Sequence, residues 1–408
     1  MKILILVSRV IVGMVFMFSG VVKAIDPLGS AYKFSDYFQA FNLTFLKPIS
    51  LFLAVILFTA EFISGFSVFT GYRQKAGIWG VGLLMLIFTP LTLILALTNP
   101  VSDCGCFGDA VHLTNWQTFG KNIILAIMVL ILFSGENNAK HILTPNKEWL
   151  VILTVSILFV IFSLLNIRYL QLFDFLPYKS GTSISEGMKI PEGKPADQYQ
   201  TTFIYEKNGL QKEFTLENYP ADDSAWKFVD QKSVLIKKGY QPPIHDFSIT
   251  AKDGTSLTDM ILSYPGYTLL LISTKLEQAD KKHLEKGFEL GMHCLDKGID
   301  FVVLTSSGSD EINKYSQNLT ICTADEAALK TIVRSNPGYL LLRNGVIAGK
   351  WSWATIPSKT EFTEDLNKQK VDSMNKKRNI LIVYSSALSA IMLFLLISSI
   401  FSKQKGIS

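Results

Sequence analysis

Six stretches of the chain are apolar over roughly the length of a bilayer, at 3–22, 49–71, 76–97, 119–133, 149–165 and 379–401. A hydrocarbon core about 30 Å thick takes about 20 helical residues to cross. No water in that core satisfies an open backbone, so such runs fold as helices. The pattern predicts an integral membrane protein with six spans, the fourth and fifth short enough that their ends are open. A mean hydropathy of +0.29 with 18% charged residues is too oily for a soluble chain of 408 residues. The first run exceeds a usual signal-peptide core, is interrupted by Arg9 and is followed by no small-residue cleavage site, so it reads as an uncleaved helix.

Short loops retain Lys and Arg on the cytoplasmic side. Lys2, Arg73, Lys75, Lys140, Lys147, Lys403 and Lys405 all fall on one side of a six-helix arrangement, whereas the loop at 99–117 carries no Lys or Arg. Both termini are thus expected in the cytoplasm of a bacterial inner membrane, with that loop and the long segment 169–375 on the periplasmic side. The run Lys376, Lys377, Arg378 would lie outside and opposes this topology. The net charge of +5 is mild and its basic residues are scattered, which excludes nucleic acid as an expected partner. The lipid bilayer is the first partner.

The segment 169–375 has no spanning run and reads as a soluble α/β unit. Its opening third carries a hairpin signal, with 201–205 and 214–216 as strands around Asn208-Gly209. From Phe247 strands and helices alternate: strands at 268–272 and 301–304 with a helix at 278–297 between them, then a helix at 325–333. The Asn336-Pro337 step, a strand at 339–342, an Asn344-Gly345 turn and a strand at 346–351 complete the pattern.

The sharpest local motif is Asp103-Cys104-Gly105-Cys106-Phe107-Gly108-Asp109. Cysteines two apart bring their Cα atoms to roughly 5.5–7 Å, inside or at the edge of disulfide range. The glycines supply the freedom such a small ring needs, and a cramped bond is readily exchanged. Redox exchange by Cys104 and Cys106 therefore competes with a structural disulfide, with metal binding together with His112 and an aspartate, and with inert thiols. Lys23, ending the first span, and Lys121, beginning the fourth, are candidate thiolate stabilisers at the same depth, or else ordinary boundary lysines. Arg9 and Glu61 are costly in hydrocarbon. At about 1.5 Å per residue they lie roughly 9 and 15 Å from the inner ends, and an ion pair between them is expected. The pattern shows no zinc-ligand spacing, and no cofactor is evident.

These residues also carry a resemblance. Arg9 followed by Phe18-Ser19-Gly20 and Lys23 to Pro27, Glu61 with Gly65 and Gly71, and above all Cys104-Gly105-Cys106-Phe107-Gly108 followed by Lys121-Asn122 resemble the MauE/DoxX family of four-helix membrane proteins. That likeness implies a four-helix unit at 1–135 and a link to maturation of a disulfide-rich periplasmic subunit of methylamine dehydrogenase beside a thioredoxin-like partner. From about 242 to 368, Pro242-Pro243, Phe247, Asp253-Gly254 and Asn336-Pro337-Gly338 resemble a thioredoxin-like domain, implying that Pro337 is its cis-proline. Where that family has Cys-x-x-Cys, this chain reads Ser273-Thr274-Lys275-Leu276-Glu277, so no dithiol chemistry runs there. The whole chain resembles the DoxX family proteins of Bacteroidetes-type bacteria.

The fold class expected is an α-helical membrane bundle, a four-helix MauE/DoxX-like unit plus two further spans, with a soluble α/β thioredoxin-like domain. Its divisions are 1–135, a fifth span at 136–168, a β-rich subdomain at 169–240, the thioredoxin-like domain at 241–370, and a last span with its tail at 376–408. The leading function is a cell-envelope thiol-disulfide redox or maturation factor acting on an exported client or thiol partner, with a membrane quinone as an acceptor suggested by analogy. The rival is a non-enzymatic assembly protein with a structural loop disulfide, and a transporter built on Arg9 and Glu61 ranks last. Cys294 and Cys322 are expected to be buried and inert, with mutual pairing or receipt of electrons from Cys104 and Cys106 as the alternatives.

Overall fold

The computed structural model of the protein describes residues 2–101, 103–135, 144–195, 198–215, 218, 223, 225–237, 239–315 and 319–376, together with 387 and 391. Six helices open the chain: α1 (Lys2–Ile25), α2 (Pro27–Ala40), α3 (Ser50–Thr70, entered through a 3-10 turn at Thr44–Ile49), α4 (Gln74–Thr98), α5 (Asn115–Ser134) and α6 (Pro145–Tyr169). Five stretches among the described residues are long and apolar enough to cross a membrane: Lys2–Ile25, Thr44–Thr70, Gln74–Thr98, Asn115–Ser134 and Lys147–Tyr169. The protein is a multi-pass membrane protein. The fourth and fifth spans reach 20 and 23 residues, longer than their apolar runs suggest. A Thr114/Gln117 capping box starts α5 among polar residues that hydropathy alone leaves out. The sixth expected span, 379–401, lies outside the described residues apart from 387 and 391.

Helix α1 lies closely on α3. A Cβ on Gly20 would stand 2.8 Å from the Phe58 carbonyl oxygen, and one on Gly65 2.8 Å from that of Gly13. The two backbones approach this closely because glycines stand at the contact, as is usual between helices in lipid. Helix α6 adds a stack of aromatic rings to this core, Phe159 lying parallel to Phe62 at 4.1 Å between centroids.

Helix α2 was not foreseen in the sequence, although its start signal is legible. Asp26 accepts a hydrogen bond from the Gly29 amide as N-cap, and Pro27 fills the first turn. It does not span, and it carries Lys33 and Tyr37 to the end of the bundle where α1 finishes.

Beyond α6 the chain is sheet-rich. A first sheet has the order β2-β1-β3, from β1 (Gln198–Lys207), β2 (Leu210–Thr215) and β3 (Lys227–Lys237). Lys207 pairs with Leu210 across Asn208 and Gly209, both at positive φ, the geometry of a two-residue hairpin turn. The third strand was missed in the sequence, where its mixed polar pattern gives no clean alternation.

The second sheet has the order β6-β5-β4-β7-β8, from β4 (Tyr267–Ser273), β5 (Asp300–Thr305), β6 (Ile321–Thr323), β7 (Gly338–Arg343) and β8 (Val346–Ser352). Strands β4, β5 and β6 run parallel, and β7 and β8 are antiparallel to their neighbours. The short helices α7 (Ile184–Gly187), α8 (Thr258–Ser263), α10 (Ser309–Asn313) and α11 (Glu326–Ile332), and the longer α9 (Lys281–Asp296), surround it. Every residue of β4 is buried, the signature of a strand covered on both faces. Leu270 and Ile272 join one apolar cluster, and Leu269 and Leu271 the other. Cys322 belongs to the first and Cys294 to the second. Mutual pairing is therefore corrected: the sheet separates two buried thiols.

Candidate functional site

The loop joining α4 to α5 folds back onto the ends of α1 and α2. Gly105 and Gly108 stand at φ +64° and +52°, left-handed values that other side chains resist by about 1–2 kcal/mol. A Cβ on Gly105 would also meet the Lys33 stem at 3.1 Å. Asp103 accepts from the Gly105 amide at 2.8 Å and pairs with Lys33 at 3.1 Å. The Tyr37 hydroxyl donates to the Cys104 carbonyl at 2.6 Å, and the Ser19 hydroxyl to that of Cys106 at 2.7 Å. Held this way, the Cys104 and Cys106 sulfurs lie 3.0 Å apart, one small movement from the roughly 2.05 Å of a disulfide.

Beneath the loop is a buried ion pair. Lys23 Nζ stands 2.7 Å from Glu61 Oε1, and the Ser19 hydroxyl lies 3.1 Å from Glu61 Oε2. With its proton on the nearer Cys106 carbonyl, Ser19 seats the loop beside the carboxylate. The expected Arg9–Glu61 pair is overturned. Arg9 instead donates to the Val68 carbonyl at 2.7 Å and the Phe69 carbonyl at 3.1 Å, at the far end of α3. Depth along the helix was the wrong criterion. Helical side chains lean toward their own N-terminus, so Arg9 is carried away from the middle of the bundle. Lys23 on α1 and Glu61 on α3, in helices running opposite ways, lean toward each other.

Lys121 takes a place on the other side of Cys106, its ammonium 4.4 Å from the Phe107 ring centroid. Asn122, the next residue, donates to the Thr92 hydroxyl at 3.1 Å. A cavity of about 20 Å³, the size of one water, lies between Cys106, Ser19, Glu61, Lys121 and Asn122.

The two thiols are electrostatically unequal. The hydrogen bond from Cys104, followed by the Lys121 and Lys23 ammoniums, holds Cys106 below the ordinary thiol range in spite of burial. The same hydrogen bond and burial push Cys104 up. Charge favours the thiolate at Cys106. In the Lys121→Met variant, alkylation of Cys106 at pH 7 is expected to slow about fivefold, with the rate-against-pH curve moved to higher pH. An unchanged curve would remove Lys121 from the site.

The soluble region reaches this loop. Arg334, in the turn before β7, donates to Asp26 at the α1–α2 junction and to Asp109 in the cysteine loop, both at 2.9 Å. Its guanidinium carbon lies 5.2 Å from the Tyr32 ring centroid on α2, and its side chain is only 8% exposed. Neither Arg334 nor its two aspartates stood out in the sequence, since nothing local marks a residue whose partners lie 308 and 225 positions away. Asn336-Pro337 is a cis peptide bond. The Ser273 hydroxyl donates to the Asn336 side chain at 2.8 Å, and Lys275 to the Ser306 carbonyl at 2.7 Å. Among the described residues no group of three His, Cys, Asp or Glu could hold a metal ion. His112 is largely exposed and stands 4.0 Å from Asp103.

Residues 1–135 match the family model of Methylamine utilisation protein MauE, and residues 199–238 match a domain of unknown function, DUF8463. No curated protein and no solved structure matches the chain.

Proposed function

From the premise that residues 1–135 form a MauE domain, we propose that the protein is a thiol-disulfide redox or maturation factor of the bacterial cell envelope, working through Cys104 and Cys106. The observation that carries the reading is the pair of sulfurs at 3.0 Å in a loop seated on the Lys23–Glu61 pair. In one cycle a thiolate of an exported client attacks the Cys104–Cys106 disulfide and forms a mixed disulfide. The second client thiol then resolves it. The client leaves with a new S–S bond, the two cysteines are left reduced, and a two-electron acceptor must reoxidise them.

Charge supports an orientation. Arg9 and Arg73 sit at the end of the bundle opposite the cysteine loop, with Arg73 stacked 4.9 Å from the Trp149 ring centroid, and cytoplasmic ends are the ones that keep basic residues. The loop and the sheet-rich region docked on it then face the periplasm, in an inner membrane, with the N-terminus in the cytoplasm.

The order β6-β5-β4-β7-β8, the cis Asn336-Pro337 bond before β7 and the β7–β8 hairpin support reading the second sheet as thioredoxin-like. At its would-be dithiol position Ser273 and Lys275 are engaged in hydrogen bonds. That region therefore recognises a client or partner and leaves thiol chemistry to the loop. The same observation favours the second reading, a scaffold whose loop bond only pins the chain.

Trapping separates the two. In single Cys104→Ser and Cys106→Ser variants the remaining thiolate can attack a disulfide of an envelope protein but has no neighbour to resolve the adduct, so mixed disulfides are expected to accumulate, and the double variant should give none. Differential alkylation in intact cells should find the wild-type pair cycling between oxidised and reduced forms. If neither single variant gives an adduct and growth under thiol stress is unchanged, the scaffold reading stands.

A further inference from the structure

Beside the two sulfurs, on the side away from Lys121, lies a cavity of about 210 Å³ bounded by α2, α3, α4 and the cysteine loop. Its composition is lopsided. Phe34, Leu57, Ile87, Phe88 and Leu91 make apolar walls, and the polar lining comes from Lys23, Ser30, Lys33, Tyr37 and the Cys104–Cys106 turn. Ile87, which lines the cavity, is 54% exposed on the span Gln74–Thr98, and a ligand arriving through the bilayer would enter on that side. An apolar cavity of about 150 Å³ accepts benzene. This one accommodates a substituted six-membered ring, with a long tail left in lipid.

A site with this shape needs a ligand that is apolar enough to arrive through the membrane, planar, and polar at the edge facing the thiols. We propose that the cavity binds the ring of a membrane quinone, with one carbonyl oxygen toward Lys23 and the ring edge against Cys104 and Cys106. The proposal rests on the redox reading above and supplies the acceptor it lacks. In the step, two S–H bonds break and the Cys104–Cys106 S–S bond forms. The two electrons pass to the ring, its two carbonyl oxygens take up two protons, and the quinone leaves as the hydroquinone. Tyr37, whose hydroxyl holds the Cys104 carbonyl, keeps that edge of the loop in register with the cavity and is a positioning residue.

The test uses the full chain, reduced, in lipid nanodiscs, with a short-chain ubiquinone as probe, since its fully substituted ring gives thiols no position to alkylate. Formation of the Cys104–Cys106 disulfide is followed with that quinone and, separately, with glutathione disulfide. Leu57→Trp and Leu91→Trp fill the cavity without touching the thiols. Both are expected to slow quinone-driven oxidation at least about tenfold, because a small displacement of reacting groups costs that much. Oxidation by glutathione disulfide should stay at the wild-type rate, which also reports a folded loop. In the wild type, an azido-quinone photolabel is expected on peptides carrying Leu57 or Leu91, displaced by the unlabelled quinone. If glutathione disulfide oxidises the pair and the quinone does not, or if the filled variants react with quinone at the wild-type rate, the cavity inference falls and the redox reading survives. A label displaced equally well by a long-chain alkyl detergent makes the cavity a lipid contact and overturns the inference too. If neither oxidant joins the sulfurs, the redox reading falls and takes the inference with it.

Discussion

Glu61→Gln is expected to destabilise the membrane unit by about 3 kcal/mol, because removing one partner of a buried ion pair leaves the other charge without compensation. The buried Lys23 ammonium has Glu61 as its salt-bridge partner at 2.7 Å, and glutamine cannot neutralise it. Thermal unfolding of the protein in detergent should begin on the order of 10 °C lower. Lys23→Met alone should cost a similar amount, since it strands the carboxylate. The double variant Lys23→Met/Glu61→Gln is expected to recover most of the loss, because a buried pair replaced by neutral groups of similar volume is often close to neutral in stability. The cycle therefore reads the coupling directly. Ser19, beside Glu61, holds the Cys106 carbonyl, so Glu61→Gln should also raise alkylation of Cys106 as the loop loosens. Single variants that melt with the wild type would mean that the pair does not hold the loop.

Arg334→Ala should have the second large effect, and at a different place. Arg334 answers two carboxylates at once, Asp26 and Asp109, each at 2.9 Å. Its loss leaves both in a largely buried site, with a cost of about 3–5 kcal/mol borne by the contact between the membrane unit and the sheet-rich region. The sheet has its own two-sided core, so the region itself should stay folded. Amide hydrogen exchange is expected to quicken at residues 105–110 and 326–336 and to remain as in the wild type across β4 and β5. Arg334→Lys should recover only part of the protection, because a single ammonium cannot reproduce a fork that bonds two partners. Equal protection in Arg334→Ala and wild type would show that the two regions are held together by other contacts.

Whatever depends on neighbours along the chain was legible in the residues themselves. Spans follow from apolar length, the hairpins at Asn208-Gly209 and Asn344-Gly345 from residues that tolerate positive φ, and the cysteine loop from two thiols separated by one glycine. The likeness of residues 1–135 to the MauE model was legible for the same reason, its motifs being local. Which charges meet is settled by folding alone. Lys23, read as a thiolate neighbour, turned out to be the partner of Glu61, and Arg9 went to backbone carbonyls at the other end of α3. The lean of a side chain along its helix and the opposed directions of α1 and α3 settle that choice, and neither can be read from residue spacing. Arg334 is the extreme case, since its role exists only because folding sets the turn before β7 on Asp26 and Asp109, and a sequence carries no local mark of a contact made across hundreds of residues.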